Sequence, residues 1–285
     1  MSKNTGPSLF NCGNYTFDLS QKTLVMGVLN VTPDSFSDGG KFLHINDAVA
    51  QAVQMAEDGA DIIDVGGEST KPGAVIVPAA EELRRVIPVI RKLVKKINLP
   101  VSIDTYKSEV AKAALSEGAS IVNDISGFRF DGKIAKVAAK YKAGVVLMHI
   151  LGTPKDMQLN PRYRNIIKEV SAYLKESAGI ALRAGVKKES IMLDAGLGFG
   201  KTTEHNLLLI KKLGEFRQLG YPLLMGPSRK SFIGKILDLP AAERLEGTLA
   251  AVSACVLNGA SVVRVHDVKE TARAVRVIDA IKKGL

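Results

Sequence analysis

The sequence has no tryptophan, only two cysteines among 285 residues, and no apolar run near the ~20 residues that cross a bilayer. So few cysteines argue against a disulfide framework and favour a reducing compartment, so we expect a cytoplasmic protein. Because no apolar run is long enough to cross a bilayer, we expect no membrane partner. The first residues show no basic segment followed by an apolar stretch, which predicts no secretory signal. With 46% hydrophobic and 24% charged residues, the composition excludes a collagenous or disordered chain.

The charge of the chain is positive, with 39 Lys and Arg against 29 Asp and Glu. These cations are spread along the sequence, and clusters such as Arg91-Lys92 and Lys95-Lys96 stand at helical spacing beside apolar residues. That pattern is typical of solvated helix faces, and no nucleic-acid-binding signature is present. We therefore expect no nucleic-acid partner, and a positive field that attracts a small anionic substrate.

Short β-branched runs alternate with segments whose apolar residues recur at i, i+3, i+4 and i+7. The nearly apolar runs indicate a parallel sheet covered by helices. About 30 residues per strand–helix unit predict eight units in one domain over residues 1–285. The fold class is therefore α/β, a single (β/α)8 TIM barrel, and residues 11–14 suit a short N-terminal β-hairpin capping its bottom. The predicted strands are Leu24–Asn30, Ile62–Val65, Val101–Asp104, Ile121–Asp124, Gly144–His149, Ile191–Asp194, Pro222–Met225 and Val262–His266.

A doubly wound sheet is the main alternative fold. Barrels place their active sites at the carboxyl ends of many strands, whereas a doubly wound sheet concentrates its site near one switch point. Polar residues end nearly every predicted strand, which favours the barrel. These residues are Asn30, Asp64, Asp104, Asn123 with Asp124, His149, Asp194, and Arg264 with His266.

Two loops carry turn-forming residues beside chemically useful side chains. Residues 30–40 include Phe36 and Asp38 among Pro, Ser and Gly, as in a mobile lid over a ligand. Residues 66–73 contain two adjacent glycines, which admit a ligand close to the backbone, and the hydroxyls of Ser69 and Thr70 suit phosphate oxygens. Ordinary connecting loops have similar compositions, so both interpretations stay open.

Phosphate binding is best indicated after the last two strands. Residues 226–231 combine serines with Arg229 and Lys230 at a helix start, and Arg264 and His266 lie at the end of the eighth strand. Barrels often bind phosphate at these two places. Residues 195–202 also resemble the phosphate loop of nucleotide triphosphatases, but Ala195 replaces its first glycine, which argues against that function.

The histidines lack the spacing of a zinc helix, and no HExxH motif occurs. An oxygen-ligated Mg²⁺ held by Asn30 and substrate phosphates is compatible with the sequence, because Mg²⁺ keeps waters and needs few protein ligands.

Eight ordered motifs between about Thr23 and Ile281 together resemble bacterial dihydropteroate synthases, a far more specific match than any one of them. They are MGVLNVTPDSFSDGG, DVGGESTKPGA, SIDTYKSEVA, VNDISG, LMHILGTPKDMQ, LDAGLGFGKT, GPSRKSFIG and VVRVHDV. The resemblance implies a homodimeric (β/α)8 barrel that uses Mg²⁺ and is a sulfonamide target. It also implies a transferase of folate biosynthesis that joins p-aminobenzoate to 6-hydroxymethyl-7,8-dihydropterin diphosphate, releasing pyrophosphate by a dissociative route.

The resemblance also implies site residues. For the pterin these are Asp104, Asn123, Met148, Asp194, Lys230 and Arg264. For the diphosphate they are Asn30, Ser69, Thr70, Arg264 and His266, with Asn30 also ligating the metal. For p-aminobenzoate they are Phe36, Thr70, Lys71, Pro72, Phe199 and Ser231. Catalytic roles are implied for Asp104, Asp194, Lys230 and Asp38.

Two positions depart from the expected family pattern, with Ala195 in place of Pro and Lys71 in place of the frequent Arg. The second change keeps the charge but loses the planar fork of a guanidinium, which affects details of the p-aminobenzoate pocket.

Two other functions are alternatives to the synthase. A folate-binding methyl-transfer barrel would not need a diphosphate site, so Arg264 with His266, and Ser228 with Arg229 and Lys230, argue against it. A non-catalytic pterin-binding relative should lack lid or diphosphate residues that are present here.

Overall fold

The computed structural model describes residues 8–32 and 41–284, so the predicted lid residues Phe36 and Asp38 lie outside the described part. The strands are β1 (Leu9–Cys12), β2 (Tyr15–Asp18), β3 (Leu24–Asn30), β4 (Ile62–Gly66), β5 (Val101–Asp104), β6 (Ile121–Asp124), β7 (Gly144–Met148), β8 (Ile191–Asp194), β9 (Leu223–Met225) and β10 (Val262–Val265). The α-helices of the described part are α1 (Lys41–Glu57), α2 (Ala79–Leu93), α3 (Ser108–Ser116), α4 (Ile134–Lys140), α5 (Ile166–Arg183), α6 (Thr203–Lys211), α7 (Ser231–Leu237), α8 (Leu245–Leu257) and α9 (Val268–Lys283).

Strands β3 to β10 form a closed parallel barrel in the order β10-β3-β4-β5-β6-β7-β8-β9. The closure is made by β10, which pairs with β3 on one side and with β9 on the other. Every predicted strand is present, and its ends agree with the prediction to within one residue. The predicted TIM barrel is confirmed, and the doubly wound alternative is wrong because this sheet closes on itself.

The helices cover the barrel because each presents an apolar stripe to the strands. In α2 the buried stripe consists of Val86, Val89, Ile90 and Leu93, which is the helical spacing expected for one face. These side chains join a large core between helices and strands that is almost completely removed from water. In the described ranges, no helix combines the length and hydropathy needed to cross a membrane.

The two N-terminal strands form the predicted hairpin and cap the bottom of the barrel. Strands β1 and β2 pair antiparallel, and Phe10 and Cys12 are fully buried. Both pack against residues that start barrel strands, including Leu24 and Ile62. A Cβ on Gly144 would lie 2.6 Å from the Cβ of Cys12 and 2.8 Å from the Cζ of Phe10. The glycine at the start of β7 therefore admits the hairpin to the barrel end.

Replacing Phe10 with Ala is expected to lower the free energy of unfolding by about 3–5 kcal/mol, because it removes a ring that fills the barrel end. The neighbouring Leu9 is 46% exposed, so Leu9→Ala should change stability by no more than about 0.5 kcal/mol. Urea denaturation of both variants measures the difference. Equal stabilities of the two variants would contradict the capping role of Phe10.

Candidate active site

The residues predicted to bind the pterin meet at the mouth of the barrel, where the carboxyl ends of the strands lie. β5 ends at Asp104, which lies directly beside Asn123 of β6. β7 ends at Met148, which lies beside Asp194 at the end of β8. Residues from four consecutive strands are therefore brought to one rim of the barrel.

Arg264 of β10 joins three strands at this rim through its guanidinium group. Its Nε donates to Asp64 Oδ2 at 2.6 Å, and its Nη2 donates to Asp104 Oδ2 at 2.7 Å. The amide Nδ2 of Asn123 donates to the same Asp64 oxygen at 2.9 Å. The planar guanidinium is thus held in one orientation by two carboxylates, which also fixes the direction of its flat face.

The carboxyl of Asp104 has an unusual electrostatic environment. Burial raises its pKa to about 7, and the carboxylates of Asp64, Glu82 and Asp124 act in the same direction, whereas Arg264 opposes them. Asp64 and Asp104 share the single guanidinium of Arg264, so the negative charge of these two carboxylates is only partly neutralised. Shifted carboxyl groups of this kind are typical of functional sites.

Asp194 and Lys230 form the other side of the mouth. The Oδ1 atom of Asp194 accepts a hydrogen bond from the backbone N–H of Gly196 at 2.7 Å, and the residue is only 5% exposed. Burial raises the pKa of Asp194, while that hydrogen bond and the nearby cations lower it. Burial and Arg264 lower the pKa of Lys230 to about 8, and its Nζ lies 4.2 Å from the ring centre of Phe199.

The predicted diphosphate residues after β9 and β10 lie close together. Ser228 Oγ lies 3.0 Å from His266 Nδ1 and accepts a hydrogen bond from the backbone N–H of His266 at 3.2 Å. Burial, together with Arg264 and Arg229, lowers the pKa of His266 to about 4, so the ring is neutral at pH 7. Arg229 is turned toward Asp267, with donor–acceptor distances of 3.0 and 2.5 Å, so Lys230 is the cation of this loop that faces the mouth.

Known proteins are similar to this chain over most of its length. Residues 26–266 match the family described as pterin binding enzymes. Dihydropteroate synthase of Bacillus subtilis is 50% identical over 93% of this chain and 90% of its own length. That of Synechocystis is 49% identical over 94% and 93%, respectively. The chain belongs to the dihydropteroate synthase family. The predicted family and transferase class are confirmed.

Solved structures of the family share this fold. Dihydropteroate synthase of Yersinia pestis, in complex with a sulfonamide drug, has a TM-score of 0.91 at 39% identity and covers 96% of this chain and 99% of its own. The Xanthomonas albilineans synthase with 4-aminobenzoic acid has a TM-score of 0.90 at 42% identity and covers 96% and 98%. The fold comparison therefore extends over nearly the entire length of both synthases.

The loop that resembles a phosphate loop has a structural role in this synthase. Lys201 is only 3% exposed, and its Nζ lies 2.9 Å from His149 Nδ1 and donates to the carbonyl of Phe199 at 2.9 Å. Burial lowers the pKa of Lys201 to about 7. Burial and the nearby Lys201 ammonium lower the pKa of His149 to about 2. The sequence alone assigns no role to Lys201 or His149. The Gly200-Lys201 pair of the motif was the signal that could have indicated a role for the lysine. The lysine fixes its own loop to the end of β7.

Asp64 is a third residue that the sequence prediction left without a role. It was placed at a strand end, but it is the third residue of β4 and is fully buried. Its Oδ2 holds Arg264 and Asn123, whereas its Oδ1 accepts no hydrogen bond from any described residue. A carboxylate within the apolar run Ile62–Gly66 was the signal for a buried partner.

The described residues among those predicted for p-aminobenzoate follow the carboxyl ends of barrel strands, at the rim. Phe199 packs with Met148, Ile150 and other apolar residues at the top of the barrel. Lys71 and Pro72 are exposed in the loop after β4, whose Gly73 N–H donates to the carbonyl of Pro154 at 3.0 Å. The other residues of the predicted set are Thr70 in the same loop, Ser231 at the start of α7, and Phe36 outside the described part.

Proposed function

We propose that this chain condenses p-aminobenzoate with 6-hydroxymethyl-7,8-dihydropterin diphosphate and releases 7,8-dihydropteroate and pyrophosphate. The observation that carries the proposal is the linked set of Arg264, Asp64, Asp104 and Asn123 facing Asp194 across one mouth. A carboxylate and an amide suit the N–H and carbonyl edge of a pterin. The Xanthomonas albilineans synthase with 7,8-dihydropteroate, 39% identical to this chain, supports the product.

In this proposal the pterin ring lies between Met148 and the guanidinium plane of Arg264. Asp194 accepts hydrogen bonds from the amidine-like N–H groups of the ring, and Asn123 and Lys230 contact the remaining polar edge. Asp104 lies beside Arg264 and bonds the opposite part of the ring. The sulfur of a methionine and the plane of a guanidinium both stack well on flat rings.

The C–O bond between the pterin methylene and the diphosphate breaks first in the proposed mechanism, and its electron pair leaves with the diphosphate. Asp104 and Asp194 stabilise the resulting pterin cation, while Arg264 and neutral His266 hold the leaving group with Ser69 and Thr70. The amine of p-aminobenzoate then forms the C–N bond, and the proton that it loses passes to water or to the released pyrophosphate. Asp38, outside the described part, is proposed to organise the first loop over the leaving group.

Mg²⁺ fits the diphosphate side of this proposed site through a single protein ligand. Asn30 ends β3 on the exposed rim, and its Oδ1 would lie 3.9 Å from a Cβ placed on Gly66. This oxygen is an amide carbonyl, a hard donor of the kind that suits Mg²⁺. Among the described side chains, those of residues 8–32 and 45–284, no three His, Cys, Asp or Glu residues form a cluster that could hold a metal ion. A bound Mg²⁺ would neutralise diphosphate charge, with the remaining ligands from substrate and water.

We also propose a cytoplasmic homodimer. Cys12 and Cys255 are free and buried, as suits a reducing compartment. Apolar side chains exposed on α6, α7 and α8 support an interface with a second copy. They are Leu207, Leu208, Ile236, Leu237 and Leu257.

The test of the proposed function is pyrophosphate release from the two substrates. We expect release that depends on p-aminobenzoate, is matched by 7,8-dihydropteroate, and is inhibited by a sulfonamide in competition with p-aminobenzoate. Deuterium on the reacting methylene should slow kcat/KM, because that carbon becomes planar in a dissociative transition state. Absence of release would contradict the activity, and an inverse isotope effect would contradict the dissociative route.

A further inference from the structure

A group of four polar side chains lies beneath the loop that follows β4, and the proposed mechanism uses none of them. We call Glu68, Glu82, Tyr106 and Lys107 the Glu68 cluster. The Nζ of Lys107 donates to Glu68 Oε2 and, at 2.5 Å, to Glu82 Oε2. The hydroxyl of Tyr106 donates to Glu68 Oε1 at 2.7 Å. The two glutamate side chains are 6% and 1% exposed, so these contacts are largely shielded from water.

Glu68 joins both ends of the loop of residues 69–76. It immediately precedes the loop, and its Oε2 also accepts a hydrogen bond from the backbone N–H of Val77, which immediately follows it, at 3.2 Å. Between these ends stand Ser69, Thr70, Lys71 and Pro72, the residues proposed to contact the diphosphate and p-aminobenzoate. The carboxylate of Glu68 therefore links the two ends of the loop that carries these four residues.

The start of this loop is also fixed against α2. A Cβ on Gly67 would lie 2.7 Å from Val86 Cγ1 and 3.0 Å from Glu82 Cγ, so only glycine permits this approach. The carbonyl of Gly67 accepts a hydrogen bond from Arg85 Nη1 at 2.8 Å. With residue 67 fixed by α2, the orientation of Glu68 sets the direction in which the loop leaves the barrel.

The partners of Glu68 come from the segment that begins at the pterin site. Tyr106 and Lys107 follow Asp104 by two and three residues at the end of β5. Tyr106 packs edge to face on Phe130, with ring centres 5.4 Å apart, and the Lys107 ammonium lies 4.6 Å from the Tyr106 ring centre. Residues 104–107 thus connect the carboxylate proposed to bind pterin with the loop proposed to bind the second substrate.

We propose that Glu68 is a positioning residue that holds loop 69–76 in the conformation that receives p-aminobenzoate. The proposal rests on the proposed function, because the roles of the loop residues come from it. Glu68 acts through the backbone of Val77 and the side chains of Tyr106 and Lys107, and it contacts neither substrate. Loss of the Glu68 carboxylate should therefore weaken the binding of p-aminobenzoate and leave the pterin site in place.

Charge balance within the cluster makes Glu68→Gln the informative substitution. Lys107 faces two buried carboxylates, so neutralising Glu68 leaves a matched pair with Glu82. The pKa of Glu82 is raised by burial and by Glu68, while Lys107 opposes the rise, so this substitution also relieves Glu82. Lys107→Met would instead leave two buried carboxylates without a cation, which is expected to impair folding.

The experiment compares the wild-type protein with Glu68→Gln and with Glu117→Gln. Glu117 is a matched control because it forms an exposed ion pair with Arg91 far from the mouth. For each protein, kcat, KM for p-aminobenzoate and pterin affinity without p-aminobenzoate are measured. Hydrogen exchange of the peptide containing Val77 is measured on the same samples. Thermal unfolding tests whether the variants remain folded.

For Glu68→Gln we expect KM for p-aminobenzoate to rise about tenfold or more, the loss typical of hydrogen bonds to a charged group. Because the loop holds this substrate in ground and transition states alike, kcat should change little. The Val77 amide should exchange about tenfold faster, because a glutamine keeps only one, uncharged acceptor oxygen for the groups that now share the carboxylate, and pterin affinity should stay within about twofold of wild type. The control should match the wild type in all four measurements.

Three results would overturn the proposal. Unchanged protection of the Val77 amide would show that Glu68 does not close the loop, whether or not the enzyme is active. Equal losses of affinity for pterin and for p-aminobenzoate would show that Glu68 supports the pterin site at Asp104 and does not act selectively on the loop of residues 69–76. Faster exchange throughout α2 with a lower melting temperature would reduce Glu68 to a role in folding. Failure of the proposed function has a different signature, since the wild type itself would then release no pyrophosphate.

Discussion

Replacing Asp194 with Asn should lower kcat by about 10²–10³-fold, as expected when a preorganised charge at the reacting group is lost. Pterin affinity should fall much less, by about tenfold. The substitution keeps an oxygen that accepts the hydrogen bond from Gly196, so the loop after β8 stays in place. What disappears is the negative charge beside a ring that, in the proposed mechanism, becomes positive in the transition state.

The same substitution changes the protonation of two lysines. Asp194 raises the pKa of Lys201 and of Lys230, opposing the burial that lowers them to about 7 and about 8. Without this carboxylate both ammonium groups lose stabilisation, so both pKa values fall. If Lys230 must be charged, the alkaline limb of kcat/KM therefore moves from about pH 8 to lower pH.

Steady-state kinetics and pterin binding by calorimetry measure the effects of Asp194→Asn. Asp58→Asn is a suitable control, because Asp58 follows α1 at the opposite end of the barrel. Equal losses in kcat and pterin affinity would contradict a role in stabilising the cation. An unchanged alkaline limb would contradict the coupling of Asp194 to Lys230.

The barrel and the position of its mouth could be predicted because they follow from local patterns. Apolar runs of strand length identify β3 to β10, and a closed parallel barrel brings their carboxyl ends together regardless of the details of pairing. Asp104 and Asp194 were placed correctly at strand ends for this reason. The N-terminal hairpin followed from a turn between two short apolar patches.

The partners of individual side chains could not be predicted, because they depend on contacts between distant segments. Arg264 and Asp64 are 200 residues apart in sequence, and nothing local indicates that they pair. Asp124 appeared equivalent to its neighbour Asn123, but its carboxylate accepts hydrogen bonds from Ser126 and from the Phe128 N–H and serves the following turn. Strand alternation separates these two neighbours, and only the structure shows which one faces the mouth.

Replacing Arg264 with Lys is expected to weaken pterin binding by about 10²-fold, although the charge is retained. The guanidinium donates simultaneously to Asp64 at 2.6 Å and to Asp104 at 2.7 Å, and an ammonium group lacks this planar fork. It also lacks the flat face proposed to stack on the pterin. Arg91→Lys is the control, because Arg91 also donates through Nε and Nη2, in its case to the single carboxylate of Glu117 on the surface, where such pairs contribute little.

The pH dependence separates a loss of stacking from a loss of the shared ion pair. Arg264 lowers the pKa of Asp104, which burial has raised from 3.8 to about 7, so the less well placed ammonium should let this pKa rise further. The acid limb of kcat/KM should then move to higher pH in Arg264→Lys. Between pH 4 and 7 native Asp104 binds more protons than the unfolded chain, so its contribution to stability is lost as pH rises through about 7. The variant should extend that loss to higher pH, as urea denaturation at several pH values would measure; an unmoved acid limb with weakened pterin binding would assign Arg264 to stacking alone.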